Sequence, residues 1–399
     1  MNKQSFIINN NLLKRTVFIF SLLISVIYQS CANDPNDLGL NYISSNDTTG
    51  VRFLDSQADT MSITSTNYLN YINNHFADLI FTGKYQNYES KALLKFYNLP
   101  SDKDSAKIIS AVLTLKYGNY YFKDKTGLTD FNVYKVISNL DYNTITFDSV
   151  SSSDFGNTTL GNYSGVVADS SSISLTLNNE MIKDWFEYSA DTSYAVKNNG
   201  IVLSPNISSS ALKGFYLINS NTDLMPKVKV VLSKNNVTDT VSLDASVGLS
   251  LSDAPASIIP NERFLLQNGI AYRNILKFDL TKLPSNVIIN NVNLQFTLDK
   301  SASFISDNTD KRIVIGMVTD SVSKKDSLYN NASLLDTITY SVNLNQVFQR
   351  WNSGIMPNLG ITFKNIFELQ NLDNFAIYSP AASDISKRPR LKITYTLRN

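Results

Sequence analysis

Cys31 is the only cysteine of this 399-residue chain, and its setting gives it a defined chemistry. Lys3, Lys14 and Arg15 precede an apolar run from Val17 to Ile27, the charged and hydrophobic regions of a secretory leader. That run is shorter than the roughly 20 apolar residues a membrane-spanning helix needs. Tyr28, Gln29 and Ser30 then lead into Cys31 as a relaxed lipobox, whose thiol is acylated while its freed amine becomes the new N-terminus. Residues 1–30 are therefore expected to be a signal peptide, and 31–50 a tether lipidated at Cys31. An acylated lone thiol excludes an intrachain disulfide and a cysteine nucleophile in the mature fold.

Other reactive side chains are sparse. His75 is the only histidine, which excludes a multi-histidine metal site, and its Tyr71-Ile72-Asn73-Asn74-His75 setting reads as a loop. Glutamate occurs only at positions 89, 180, 187, 262 and 368, and none belongs to the paired-carboxylate string of a glycosidase. Asp307, Asn308 and Asp310 offer hard oxygen ligands in one loop, but the EF-hand pattern is absent and a solvated Asx turn explains them. No metal and no cofactor is expected. Flat rings beside amides are what a sugar-binding surface uses. The densest such cluster is Tyr117, Asn119, Tyr120, Tyr121 and Phe122, from which Asn119, Tyr120 and Phe122 are the candidate ligand contacts, against a purely structural role.

The elements that must position these residues are strands. Tyr, Phe, Ser, Thr, Asn and Asp are abundant, and Ala and Glu scarce, a balance that favours strands and turns. Alternation runs through Val112 to Tyr117, Lys227 to Leu232 and Arg390 to Tyr395, with turn signals at Lys123 to Gly127 and Asn198 to Gly200. Helix is limited to Asn179 to Tyr188 and Leu344 to Trp351. The chain carries 35 basic and 34 acidic residues; without the three leader cations the acids are in excess by about two, which argues against nucleic-acid binding.

A repeat organises the whole. Leu93-Leu94-Lys95-Phe96, with Leu99-Pro100 behind it, recurs as Ile275-Leu276-Lys277-Phe278 with Leu283-Pro284. Ile109 to Lys116 answers Ile289 to Thr297, Trp185 answers Trp351, Asn199-Gly200-Ile201 answers Leu359-Gly360-Ile361, and Pro226 answers Pro389. The fold expected is all-β, two tandem antiparallel β-sandwich domains of jelly-roll type, at 51–235 and 239–399, with the boundary near Asn235 to Asp239. Both tryptophans are expected in the cores, because they hold the same repeat position.

This series of a Leu-Lys-Phe strand, an Ile-x-Ala-x-Leu-x-Leu strand, a late Trp and a terminal Pro-x-Leu-x-Ile strand resembles the DNRLRE domains. The resemblance covers both halves and implies jelly-roll modules of secreted and surface proteins, some of which bind acidic polysaccharides. The string that names the family is absent, so the resemblance carries over no binding residue. In the tether, Asp34 and Asp37 resemble the acidic export tags of surface lipoproteins and equally suit a solvated linker. The expected protein is a non-catalytic lipoprotein of the outer membrane, held to the bilayer through Cys31, facing the cell surface or the periplasm. Its partner is a polysaccharide or envelope material. The alternatives are an adhesive lipoprotein with a protein partner and, least, a polysaccharide-degrading enzyme.

Overall fold

Alternating side chains specify strands but not their neighbours, and a computed structural model supplies the pairing for residues 50–217, 221–245, 247–254, 260–307 and 309–397. The expected signal peptide, Cys31 and its tether as far as residue 49 lie outside the described residues, as does Asn308. Among the described residues no helix is long and apolar enough to cross a membrane.

Strands β1 (Val51–Asp55) and β2 (Ile63–Leu69) come first. Then follow β3 (Leu79–Tyr85), β4 (Tyr88–Lys95), β5 (Lys107–Phe122), β6 (Thr129–Lys135), β7 (Gly161–Gly165) and β8 (Ser172–Thr176). Helix α1 (Asn179–Ala190) separates them from β9 (Ile201–Pro205), β10 (Leu212–Tyr216), β11 (Lys227–Lys234), β12 (Val237–Asp244) and β13 (Val247–Asp253). The second run is β14 (Arg263–Gln267), β15 (Tyr272–Phe278), β16 (Ile288–Thr297), β17 (Ile313–Val318), β18 (Asp326–Leu334) and β19 (Thr339–Asn343). It closes with helix α2 (Asn345–Asn352), β20 (Ile361–Asn365), β21 (Asn374–Tyr378) and β22 (Arg390–Thr396).

These strands form two antiparallel β-sandwiches, as the alternation predicts. In the first, β12-β11-β5 with β8 faces β10-β3-β4-β9-β6-β7, and the long β5 bends from one sheet into the other, pairing β11 with its first half and β10 with its end. In the second, β22-β16-β19 faces β17-β20-β15-β14-β21, and β18 joins the two sheets. Inward residues of β5, β11 and α1 pack with those of β4, β6 and β9 in one core; β16, β22 and α2 pack with β15, β17 and β20 in the other. Each large side chain so buried stabilises by about 1.5–3 kcal/mol.

The repeat holds in three dimensions. Leu94 pairs with Ile201 and Leu276 with Ile361, so the Leu-Lys-Phe strands have equivalent neighbours. Gly200 and Gly360 both have φ of 98°. A Cβ on them would sit 2.5 Å from the Leu94 carbonyl oxygen and 2.6 Å from that of Leu276, so only glycine fits. Trp185 packs on Phe96 at 5.5 Å and Trp351 on Phe278 at 6.3 Å, the Phe of the motif in each case.

The boundary, however, does not fall where it was expected. Asn235 and Asn236, with φ of 53° and 64°, are the two-residue turn of a hairpin in which β12 returns along β11. β13 then pairs along its whole length with β4, so the chain leaves the first sandwich only after Asp253. At the other end β2 pairs along its whole length with β15 of the second sandwich. From Phe53 on, β1 lies beside β22, where Ser56 N donates to the Leu391 carbonyl at 2.9 Å and Arg390 grips Asp55. Each repeat therefore sends its two leading strands to the other repeat. β1 and β12 each flank the last strand of a sandwich, and β2 and β13 each flank its Leu-Lys-Phe strand. The links that follow, residues 70–78 and 254–262, are nine residues long in both.

Side chains reinforce the exchange. Asn274 Nδ2 on β15 donates to Ser65 Oγ and Asn67 Oδ1 on β2, at 2.8 and 2.9 Å. Beside it Arg273 makes a two-point pair with Glu368, at 2.7 and 2.6 Å, and both are largely buried. Burial opposes the Arg273 charge, but Glu368 outweighs it and raises the guanidinium's pKa. Glu368→Ala leaves that cation unpaired and is expected to cost about 3–5 kcal/mol in denaturant unfolding. A fragment spanning 239–399 is expected to stay unfolded by circular dichroism and to fold when a peptide of residues 51–69 is added. Cooperative folding of 239–399 alone contradicts the exchange.

Candidate functional site

The exchange brings aromatic strand ends of both sandwiches face to face. Phe81, Tyr88, Tyr120, Phe122 and Leu212 of the first pack with Ile270, Tyr272, Leu372 and Phe304 of the second, forming an apolar junction. Tyr120 crosses it: its hydroxyl donates to Asp373 Oδ1 at 3.0 Å and accepts from Leu372 N at 2.9 Å. Asp373 is fully buried. It also accepts from Ser306 N and Ser306 Oγ, both at 2.8 Å, and from Thr309 Oγ1. Burial raises the Asp373 carboxyl above the usual range although these donors pull the other way, and burial holds the Tyr120 phenol far above its ordinary value.

A bulge explains which aromatic faces where. The ladder between β10 and β5 slips at Gly118 and Asn119, so Gly214 is opposite Tyr120 but Phe215 is opposite Tyr117. Asn119 takes a left-handed φ of 57°, and a Cβ at Gly118 would meet Leu79 Cδ2 at 2.5 Å. The slip shifts the alternation by one residue. Tyr117 therefore faces the first core, Tyr120 and Phe122 face the junction, and Tyr121 is left partly open.

Beside the junction lies an open cleft of about 380 Å³ contributed by both sandwiches. Its rings include Tyr121 and Phe304, 6.0 Å apart and tilted by 58°, and the exposed Phe367. Its polar groups include Asp78, Asn119, Asp307 and Gln370. Gln370 Oε1 accepts from Asp78 N at 3.0 Å, which leaves its Nε2 without a partner among the described residues. Neither the Asp78 nor the Asp307 carboxylate meets a cation there. Rings, an amide donor and carboxylate acceptors in a concave, solvated setting can hold a polyhydroxylated ligand.

Of the three candidates read from the sequence, Asn119 alone is exposed at this cleft, and its Oδ1 is already held by Ser170 N at 2.7 Å. Tyr120 also contributes to the lining but is 7% exposed, and Phe122 is fully buried against Phe304 at 5.3 Å, so neither ring can stack on a sugar. Tyr121, Phe304 and Gln370 are what the residue-type argument missed.

Comparison with protein-family models, curated proteins and solved structures found no match.

The remaining reactive groups do not assemble. His75 lies in the link between β2 and β3, against Asn73 and Phe76. Asp310 is bound by Arg312, and no group of three metal-ligating side chains occurs among the described residues. Lys213 is fully buried, donating to the main-chain carbonyls of Asp124 and Lys125 beside the Tyr121 ring at 5.4 Å; burial lowers its pKa to about 8. It fastens the turn after β5, where Asp124 Oδ1 accepts from Thr126 N and Gly127 N.

Because its folded-state pKa is raised, Asp373 contributes most stability when protonated, and that contribution is lost as pH rises through its folded pKa. Asp373→Asn is therefore expected to gain on the native chain as pH increases, in urea unfolding measured at successive pH values. Tyr120→Phe, which strands two junction partners, is expected to cost about 1–3 kcal/mol at any of them.

Proposed function

We propose that this chain is a non-catalytic lipoprotein, anchored through acylated Cys31 to the outer membrane, that binds glycan of the cell surface or matrix in the cleft between its two sandwiches. The observation that carries the binding reading is the contact of Tyr121 with Phe304 on the wall of that cleft, beside Gln370 Nε2 and the Asp78 and Asp307 carboxylates, which have no partner among the described residues. The repeats are then divergent jelly rolls of DNRLRE type, a reading that rests on their shared motif positions.

Binding is favoured over bond cleavage by the state of the carboxylates. Asp373, whose raised pKa would suit a general acid, is sealed behind Tyr120 and saturated with donors, out of reach of a substrate. The lone histidine is in a link, against Asn73, and holds no hydroxyl nucleophile among the described residues. The anchor reading rests on the leader and lipobox, and a detergent-partition assay tests it: the native chain is expected in the detergent phase and Cys31→Ala in the aqueous phase.

For the ligand, the soluble fragment from Gly50 onward is to be screened on a polysaccharide array, with a parallel assay for release of reducing ends. Retention without release is expected, weakened at least about tenfold by Tyr121→Ala. Release of reducing ends overturns the non-catalytic reading. Absence of any glycan binding moves the function to a protein partner.

A further inference from the structure

The charge of the cleft narrows what it can hold. Asp78 approaches from the link after β2, and Asp307 from the loop between β16 and β17, so the two sandwiches contribute one carboxylate each. Both are exposed, and neither has an ion-pair partner among the described residues, where most other acids at turns are engaged by a lysine, an arginine or a main-chain amide. Among the described residues no lysine or arginine lines the cleft. Lys300 and Lys311 line a separate cavity of about 460 Å³ beyond Phe304 and Ile305, and Lys213 is turned away into main-chain carbonyls.

A ring pair flanked by two free carboxylates has a defined electrostatic preference. Sugar C–H groups stack on Tyr121 and Phe304, and a positive substituent on the same ring system is drawn to Asp78 and Asp307 and to the aromatic faces. A uronate brings like charge against both carboxylates with no cation to offset it. We propose that the cleft recognises glycan bearing free amino groups, hexosamine units carrying an ammonium, and rejects uronic-acid polymers. This rests on the glycan-binding reading above and names its ligand class.

The test uses the soluble fragment from Gly50 onward and three tetrasaccharides: β-1,4-linked glucosamine, its N-acetylated form, and a uronate. Binding is measured by calorimetry below the pKa of the sugar amine, at physiological salt. The glucosamine tetramer is expected to bind at least about tenfold tighter than the acetylated one, with no binding of the uronate. Asp78→Asn combined with Asp307→Asn is expected to bring the two hexosamine tetramers to equal affinity, and an unchanged urea-unfolding midpoint reports that the double variant is folded. Equal binding of the two hexosamine forms, preference for the uronate, or a preference that survives the double substitution overturns the charge assignment and leaves glycan binding standing. Failure of all three sugars, together with a blank polysaccharide array, overturns the glycan reading itself.

Discussion

Unpaired backbone groups along a sheet edge must find partners, and in this chain the partners come from the wrong repeat. The edge of β4 is filled by β13 and that of β15 by β2, seven residues in each case, in ladders whose individual hydrogen bonds are worth about 1 kcal/mol net. Neither sandwich is complete without the leading strands of the other, so the two cannot separate without exposing both edges. The junction core, the Tyr120–Asp373 bond across it and the cleft beside it all follow from that mutual dependence.

Much of the fold was legible in the residues. The alternation of β11 and β22, the Leu-Lys-Phe motifs, the two glycines with φ of 98° and the tryptophans packed on the motif phenylalanines stand where the repeat predicts them. The exchange was not legible, because a two-residue period states which face of a strand is apolar and is silent about which edge it joins. Asn235 and Asn236 look like a polar linker until their left-handed conformations show a hairpin turn. What marks the true passage between sandwiches is the matched length of the two links, which only pairing reveals.

The candidate site was half legible for a different reason. The aromatic cluster at the end of β5 does border a cleft, but the bulge at Gly118 and Asn119 turns Tyr120 and Phe122 inward and leaves Tyr121 outward. A glycine next to an asparagine in a strand is a known bulge signal, and it was there to be weighed. Phe304, Gln370 and Asp307 lie some 180 residues or more along the chain from that cluster, and no local pattern connects them to it. The burial of Lys213 under the turn after β5 is a tertiary fact that no local pattern signals.

A site assembled from two bodies needs those bodies held still, because a ligand gains little from groups that must first be ordered. Here the exchange supplies that rigidity with backbone hydrogen bonds, and the buried carboxylate of Asp373 adds a single directed contact. The most direct measurement is native-state hydrogen exchange of the soluble fragment from Gly50 onward. The β2 amides directed at β15 and the β13 amides directed at β4 are predicted to exchange only through global unfolding, with the same free energy as the β4–β9 and β15–β20 ladders. Exchange of β2 by local fraying, at far lower free energy while β15–β20 stays protected, would contradict the account.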